Sequence, residues 1–230
     1  MVNRYIEGGC TVNLRSIDLS KAYDKVDHCA LFMKLMKRDV PLKLLDTLVF
    51  WLQNSWSCVK WKSVFSQFLK LDYGVRQGSV LSPHLFAIYV DDINCLSFGQ
   101  KPLIIMYADD IILVAPSVCV LQKLLYKCEQ ELNWLGMTIN VKKSCCMRVG
   151  ARCDAVCANI TTSGGRQLPW VKEIRYLGIY IAQSRYFKGV IHEHKKSFFR
   201  SVNAILGKVG RVASDEVLCF LSVYPYYCTV

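Results

Sequence analysis

Two adjacent carboxylates, Asp109 and Asp110, sit between two strongly apolar runs, residues 103–107 and 111–114. Neighbouring carboxylates repel each other and are costly to desolvate, so a hairpin core rarely accepts them without a counter-charge. A divalent cation suits that role, because hard carboxylate oxygens match magnesium. Successive strand residues point to opposite faces, so only one of the pair faces a site fully and the turn must aim the other. Asp also favours turns, and taken alone the pair reads equally as plain turn acids. Asp18 ends a short apolar strand over residues 14–19, where a lone Asp is commonly a cap or turn residue. Together the three offer what two-metal phosphoryl transfer needs, carboxylates from separate strands converging on ions roughly 3.5–4 Å apart. One ion activates an attacking hydroxyl and the other stabilises the leaving pyrophosphate.

A third feature is residues 74–83, Gly-Val-Arg-Gln-Gly-Ser-Val-Leu-Ser-Pro. Two glycines flank Arg-Gln directly before a helix start, which suits close approach of a ligand backbone and an anion near the helix N-terminus. An ordinary loop into a helix has the same signature.

These residues need a frame. Leu31, Phe32, Leu35 and Met36 predict a helix over 28–37, with Asp24 and Asp27 as acids at its start. Pro41 opens a second helix striped by Leu44, Leu45, Leu48, Val49 and Leu52. Residues 56–75 read as β-hairpin material. Ser82 as N-cap and Pro83 at the first helical position start a helix running to about residue 93. Asp91 and Asp92 at its end read as surface acids. A long amphipathic helix covers residues 117–135, closed by Gly136. Gly164-Gly165 marks a hairpin turn, and residues 176–181 read as one strand.

From Arg185 onward basic residues accumulate, among them Lys188, Lys196, Arg200, Lys208 and Arg211, with Glu193 the one acid among them. This predicts a compact body over 1–184 and a basic helical segment over 185–230, stopping at an abrupt Tyr-Pro-Tyr-Tyr-Cys-Thr-Val.

The 230 residues are 53% hydrophobic and 20% charged, which excludes global disorder. A net charge of +11 favours a polyanionic partner, nucleic acid or an anionic membrane. No signal peptide and no run of about 18 apolar residues is visible, so a secreted or membrane-spanning protein is not expected. Twelve cysteines in such a chain predict reduced thiols. Cys145, Cys146, Cys153 and Cys157 cluster without zinc-ligand spacing.

In their order, these segments resemble the palm motifs of non-LTR, LINE-like retrotransposon reverse transcriptases. Residues 17–28 (Ile-Asp-Leu-Ser-Lys-Ala-Tyr-Asp-Lys-Val-Asp-His) resemble the first motif and residues 74–83 the second. Tyr107-Ala108-Asp109-Asp110 matches the Y-A-D-D box, Asn140-Val141-Lys142-Lys143-Ser144 the N-x-x-K-[ST] segment, and Tyr176-Leu177-Gly178 the strand near the primer grip. Group II intron and telomerase-type enzymes share the palm more distantly.

The resemblance implies an α+β fold: an antiparallel palm sheet backed by helices in the split βαβ style, with a partial helical thumb from residue 185. It implies an RNA-directed DNA polymerase core that joins dNTPs to a DNA primer 3′-hydroxyl on an RNA or DNA template. Asp18, Asp109 and Asp110 would hold two magnesium ions, or manganese in their place, with the Leu19 carbonyl as a further ligand. Tyr23 would lie under the incoming sugar, Gln77 and Gly78 would line the nucleotide and template pocket, and Lys143 would meet the pyrophosphate. A plain core tyrosine and a solvated lysine are the other readings of Tyr23 and Lys143. Fingers and an endonuclease domain are not expected in this chain, and the thumb is expected to be cut short. The alternative function is a non-catalytic nucleic-acid-binding remnant; peripheral membrane association is a remote third. An intracellular setting, nucleus or cytoplasm, is expected.

Overall fold

The computed structural model describes residues 2–96, 102–190 and 192–209. Helix α1, Val2–Glu7, leads into strand β1, Val12–Asp18. Helices α2, His28–Lys37, and α3, Leu42–Gln53, follow. Four two-residue strands come next: β2 Trp56–Ser57, β3 Lys60–Trp61, β4 Val64–Phe65 and β5 Leu69–Lys70. Helix α4, Ser82–Val90, precedes strands β6, Leu103–Tyr107, and β7, Asp110–Ala115. Helix α5, Val118–Trp134, leads to β8, Cys145–Val149, and to the short pair β9, Ile160–Thr161, and β10, Gln167–Leu168. Strands β11 Glu173–Tyr176, β12 Ile179–Ala182 and β13 Lys188–Val190 form a separate sheet, and helix α6, His192–Val209, follows.

The central sheet runs β6-β7-β1-β8, antiparallel throughout. With α2–α4 between β1 and β6, and α5 between β7 and β8, this is the split βαβ connectivity expected for a palm. Strand alternation gives the sheet two faces. Ile17, Ile111 and Leu113 pack with Leu31, Phe86 and Leu121 of the backing helices. Leu14, Ile112 and Val114 point the other way, against Ile6 of α1 and Ile174 and Ile181 of the β11–β12 hairpin. Arg15 interrupts the first pattern: it is fully buried, and none of its guanidinium nitrogens has a hydrogen-bond partner.

Local chemistry explains most element ends. Asp27 caps α2 by accepting the Ala30 N–H at 2.7 Å, and Ser117 caps α5 by accepting that of Val120 at 3.3 Å. Gly136 ends α5 with φ +69°. Three expectations are corrected. Ser82 is not the N-cap: Leu81 takes that position in helical geometry, Pro83 lies one residue inside, and the Ser82 hydroxyl is buried without a partner. The α4 helix stops at Val90, and a tighter 3-10 turn carries Asp91–Leu96. Residues 176–181 are a hairpin rather than one strand, because Leu177 (φ +48°) and Gly178 (φ +79°) turn the chain between β11 and β12. The apolar Tyr-Leu-Gly-Ile-Tyr-Ile run hides that turn, and Gly178 was its signal.

The 56–75 hairpin is present as two short strand pairs, β2–β5 and β3–β4. The turn at Gly164-Gly165 joins β9 to β10. The basic segment begins inside the second sheet, since β13 pairs with β12, and continues into α6. Arg211 and the last seven residues lie outside the described residues.

Candidate active site

Asp18 is the last residue of β1, and its directly opposed partner on β7 is Asp110. Directly opposed residues share a face, with Cβ atoms about 4.5–5.5 Å apart. Both therefore lie on the sheet face away from the backing helices, beyond the end of the smaller apolar cluster. Asp109 sits in the turn between Tyr107 and Asp110, which are themselves opposed across β6 and β7. Ala108 takes φ +53°, and this left-handed residue lets a two-residue turn aim Asp109 separately from Asp110.

The backbone of Asp18 is clamped by the segment after α5. Its carbonyl accepts the Asn140 N–H at 2.8 Å, and its N–H donates to the Ser144 hydroxyl at 3.2 Å. Ser144 in turn donates to the Asn140 carbonyl at 2.8 Å. Asn140 and Ser144 are thus positioning residues for Asp18, a role the sequence pattern alone did not reveal. Lys143, on the same loop, places Nζ 3.7 Å from Asp18 Oδ1, with its side chain 69% exposed. Leu19 opposes Ile139 in an isolated bridge whose bonds belong to the flanking residues, Ser20 N–H to Thr138 and Asn140 N–H to Asp18. In that geometry the Leu19 N–H and carbonyl point to the opposite edge, the side of β7 and its carboxylates.

Among the described residues the one cation paired with these three carboxylates is Lys143, on Asp18. Asp110 has its pKa raised above the ordinary carboxylate value by burial, then by the charges of Asp109 and Asp18; Lys143 opposes the rise. Among the described residues no group of three or more acid, imidazole or thiol side chains is placed so that it could hold a metal ion. Asp18 and Asp110 oppose each other at the open end of the sheet, where a hard cation would have to take the rest of its shell from water and substrate phosphates.

Beside the carboxylates is a pocket of about 460 Å³ lined by Tyr23, Gln77, Gly78, Ser79, Val80, Ser82, Pro83 and Asp109. Tyr23 stacks on Phe86 of α4, with ring centroids 4.7 Å apart and planes 18° apart. Burial, then the charges of Asp109 and Tyr107, raise the Tyr23 pKa, so its hydroxyl stays neutral. The 74–83 loop is pinned against the same segment. Gly74 donates to the Val26 carbonyl at 2.7 Å, and Val75 to that of Tyr23 at 2.8 Å. A Cβ on Gly74 would lie 3.0 Å from the Asp24 Cα, and its φ of +88° also demands glycine. Gly78 has φ +82° with open space where a Cβ would be.

The structure thus brings Tyr23, Gln77, Gly78 and Asp109 around one pocket, with Asp18, Asp110, Leu19 and Lys143 next to it. Ser82 was read only as a cap, yet it is among the residues lining that pocket, and its buried hydroxyl has no partner. Tyr176, read only as part of the strand near the primer grip, has its hydroxyl buried without a partner, and burial and the Asp110 charge raise its pKa. Asp91 and Asp92 lie apart, at the surface, paired with Arg38 and with Lys34 at 2.9 Å.

The family model described as reverse transcriptase (RNA-dependent DNA polymerase) matches residues 9–181. The RNA-directed DNA polymerase from the mobile element jockey of Drosophila funebris is 28% identical over 93% of this chain and 24% of its own length. The Retrovirus-related Pol polyprotein from the type-2 retrotransposable element R2DM of Drosophila melanogaster is 26% identical over 72% of this chain and 17% of its own length. The chain therefore spans about a quarter or less of the length of these curated relatives. Among solved structures, apo telomerase from Candida tropicalis, truncated from its C-terminal domain, superposes with a TM-score of 0.60 at 16% identity. The superposition covers 82% of this chain and 38% of that one. The same telomerase with a TWJ fragment of telomeric RNA gives a TM-score of 0.57 at 16% identity, covering 85% and 33%. At that identity the likeness concerns the fold: an α+β polymerase palm.

Proposed function

The chain belongs to the reverse transcriptase family, and on that premise we propose that its carboxylate face is the catalytic centre of an RNA-directed DNA polymerase. The observation that carries this reading is Asp18 directly opposite Asp110, with Asp109 lining the adjoining pocket. Asp18, Asp109 and Asp110, with the Leu19 carbonyl, would hold two magnesium ions or manganese in their place. Such ions lower the pKa of an attacking hydroxyl and stabilise a leaving pyrophosphate.

The chain's own groups do the rest. Tyr23, held flat by Phe86, gives the nucleotide sugar a rigid shelf and leaves little room for a 2′-hydroxyl. Gln77 offers an amide to the base or template, and Gly78 leaves the backbone accessible. Lys143 is exposed and loosely paired with Asp18, free to turn its ammonium to phosphate oxygens as charge develops. The basic helix α6 would follow the primer–template backbone as the start of a thumb, a contact that weakens as salt rises. RNA template, DNA primer and dNTPs are the partners this reading requires. No helix among the described residues is long and apolar enough to cross a membrane. Nine of the described cysteines, among them Cys128, Cys146 and Cys153, are free thiols, which suits a reducing compartment, cytoplasm or nucleus.

Primer extension on an RNA template tests the reading, comparing the chain with Asp109→Asn/Asp110→Asn. Extension that falls at least about 100-fold in the variant is expected for loss of the main electrostatic stabiliser. Equal extension by both proteins would refute it. Salt-sensitive binding with no extension by either would favour the alternative, a non-catalytic nucleic-acid-binding remnant.

A further inference from the structure

The β2–β5 and β3–β4 hairpin is unlike the rest of the molecule. Trp61 is 75% exposed, Phe68 67%, Trp56 58% and Phe65 57%, with no core beneath them. A two-stranded ribbon with its rings in water is marginal alone, and a patch of this kind marks a surface that takes an occupant.

Lysines are threaded between the rings. Across the strands Trp56 faces Lys70 and Phe65 faces Lys60, whose ammonium stands 5.3 Å over the Phe65 ring. Lys62 is at the tip with φ +55°. The one acid in residues 56–73 is Asp72. A protein segment docked on the rings would strand these ammonium groups. A single nucleic-acid strand satisfies both, since every base offers a π-face to a ring and every phosphate an anion to a lysine. The ribbon's root fixes its place: Tyr73 bridges to Asp27, and Gly74 then opens the loop that lines the pocket.

We propose that this hairpin is a binding platform for single-stranded nucleic acid, outside the carboxylate pocket and continuous with its rim. It rests on ring and charge placement and needs no catalysis. The test is anisotropy of a short labelled oligodeoxythymidine titrated with the full chain, together with tryptophan quenching. Trp61→Ala/Phe65→Ala is expected to weaken binding about 10-fold or more, whereas Trp61→Phe retains most of it. Lys60→Gln should lower the salt dependence by about one phosphate contact. Binding is read in EDTA without dNTPs, so failure of extension and failure of this proposal are separable. Circular dichroism of the exposed-site variants confirms that they fold. Unchanged affinity in Trp61→Ala/Phe65→Ala would overturn the proposal. So would dimerisation through the rings, dispersed by the same variant, without quenching by the oligonucleotide.

Discussion

The chain carries two Asp-Asp pairs, and they have opposite electrostatic fates. Asp91 and Asp92, just past α4, meet Arg38, which caps the C-terminus of α2, and Lys34 of α2. The Arg38 hydrogen bond holds the Asp91 carboxyl below its ordinary value. Asp109 and Asp110, at the tip of β6–β7, lie with a third carboxylate, Asp18, which among the described residues is alone of the three in being ion-paired, to the exposed Lys143. Burial and those neighbours push Asp110 up. The first pair is an ion-pair clasp between α2 and the end of α4. The second is the pair proposed above to take a cation from outside. Whether the chain supplies the counter-charge, and not the dipeptide itself, decides which pair is structural and which chemical.

If partnering decides the cost of a charge, the largest effect on stability belongs to the charge with the least of it. Arg15 is fully buried without a hydrogen bond, and burial lowers its pKa although the charge of Glu129 is among those opposing this. Arg15→Met should raise the unfolding free energy by about 1–4 kcal/mol, measured by urea denaturation. A loss of stability would mean the guanidinium finds a partner in solution.

A smaller loss is expected at the clasp. The Lys34 side chain is 7% exposed, pairs with Asp92 and donates to the Tyr89 carbonyl. Lys34→Met keeps the stem but leaves that carbonyl bare, and should cost about 2 kcal/mol. Metal affinity should not change.

The smallest effects have opposite signs. The folded pKa of Asp91 is depressed, so its contribution is present above the unfolded value of 3.8 and is lost as pH falls through the folded one. Asp110 is raised, so the fold binds its proton more tightly than the unfolded chain. Its charge burdens the metal-free protein at neutral pH, and acid relieves that burden. In EDTA at pH 7, Asp91→Asn should lose and Asp110→Asn should gain, each by under about 1 kcal/mol. Both differences should vanish in thermal melts below the carboxylate range. Equal signs would dissolve the contrast between the pairs.

Much of this was legible in the residues. The apolar runs flanking Asp109-Asp110, the stripe of α5 and the glycines of 74–83 each answer to one local rule, and the structure follows them. Asp91-Asp92 read as surface acids because they end a helix, and they are. The rest depended on contacts between distant segments. Nothing near Asn140 or Ser144 says that they clamp Asp18, since those bonds exist only once β1 and the segment after α5 meet. Ser82 looked like a cap because its type and its Pro neighbour fit, yet the loop enters α4 already helical at Leu81. Leu177 is not a residue type that announces left-handed geometry, so the β11–β12 turn was concealed. Arg15 sits in a strand pattern where an apolar residue is expected, a visible anomaly whose full burial needed the structure.

The central claim is that the Asp18, Asp109 and Asp110 carboxylates bind the cation. Calorimetric titration of the full chain with Mn²⁺ tests it directly, using Asp18→Asn/Asp110→Asn and Asp91→Asn/Asp92→Asn. Removing two of a hard cation's few charged ligands should weaken binding by at least about 10-fold in the first variant, with parental affinity in the second. Parental binding by Asp18→Asn/Asp110→Asn, or its loss in Asp91→Asn/Asp92→Asn, would contradict the account.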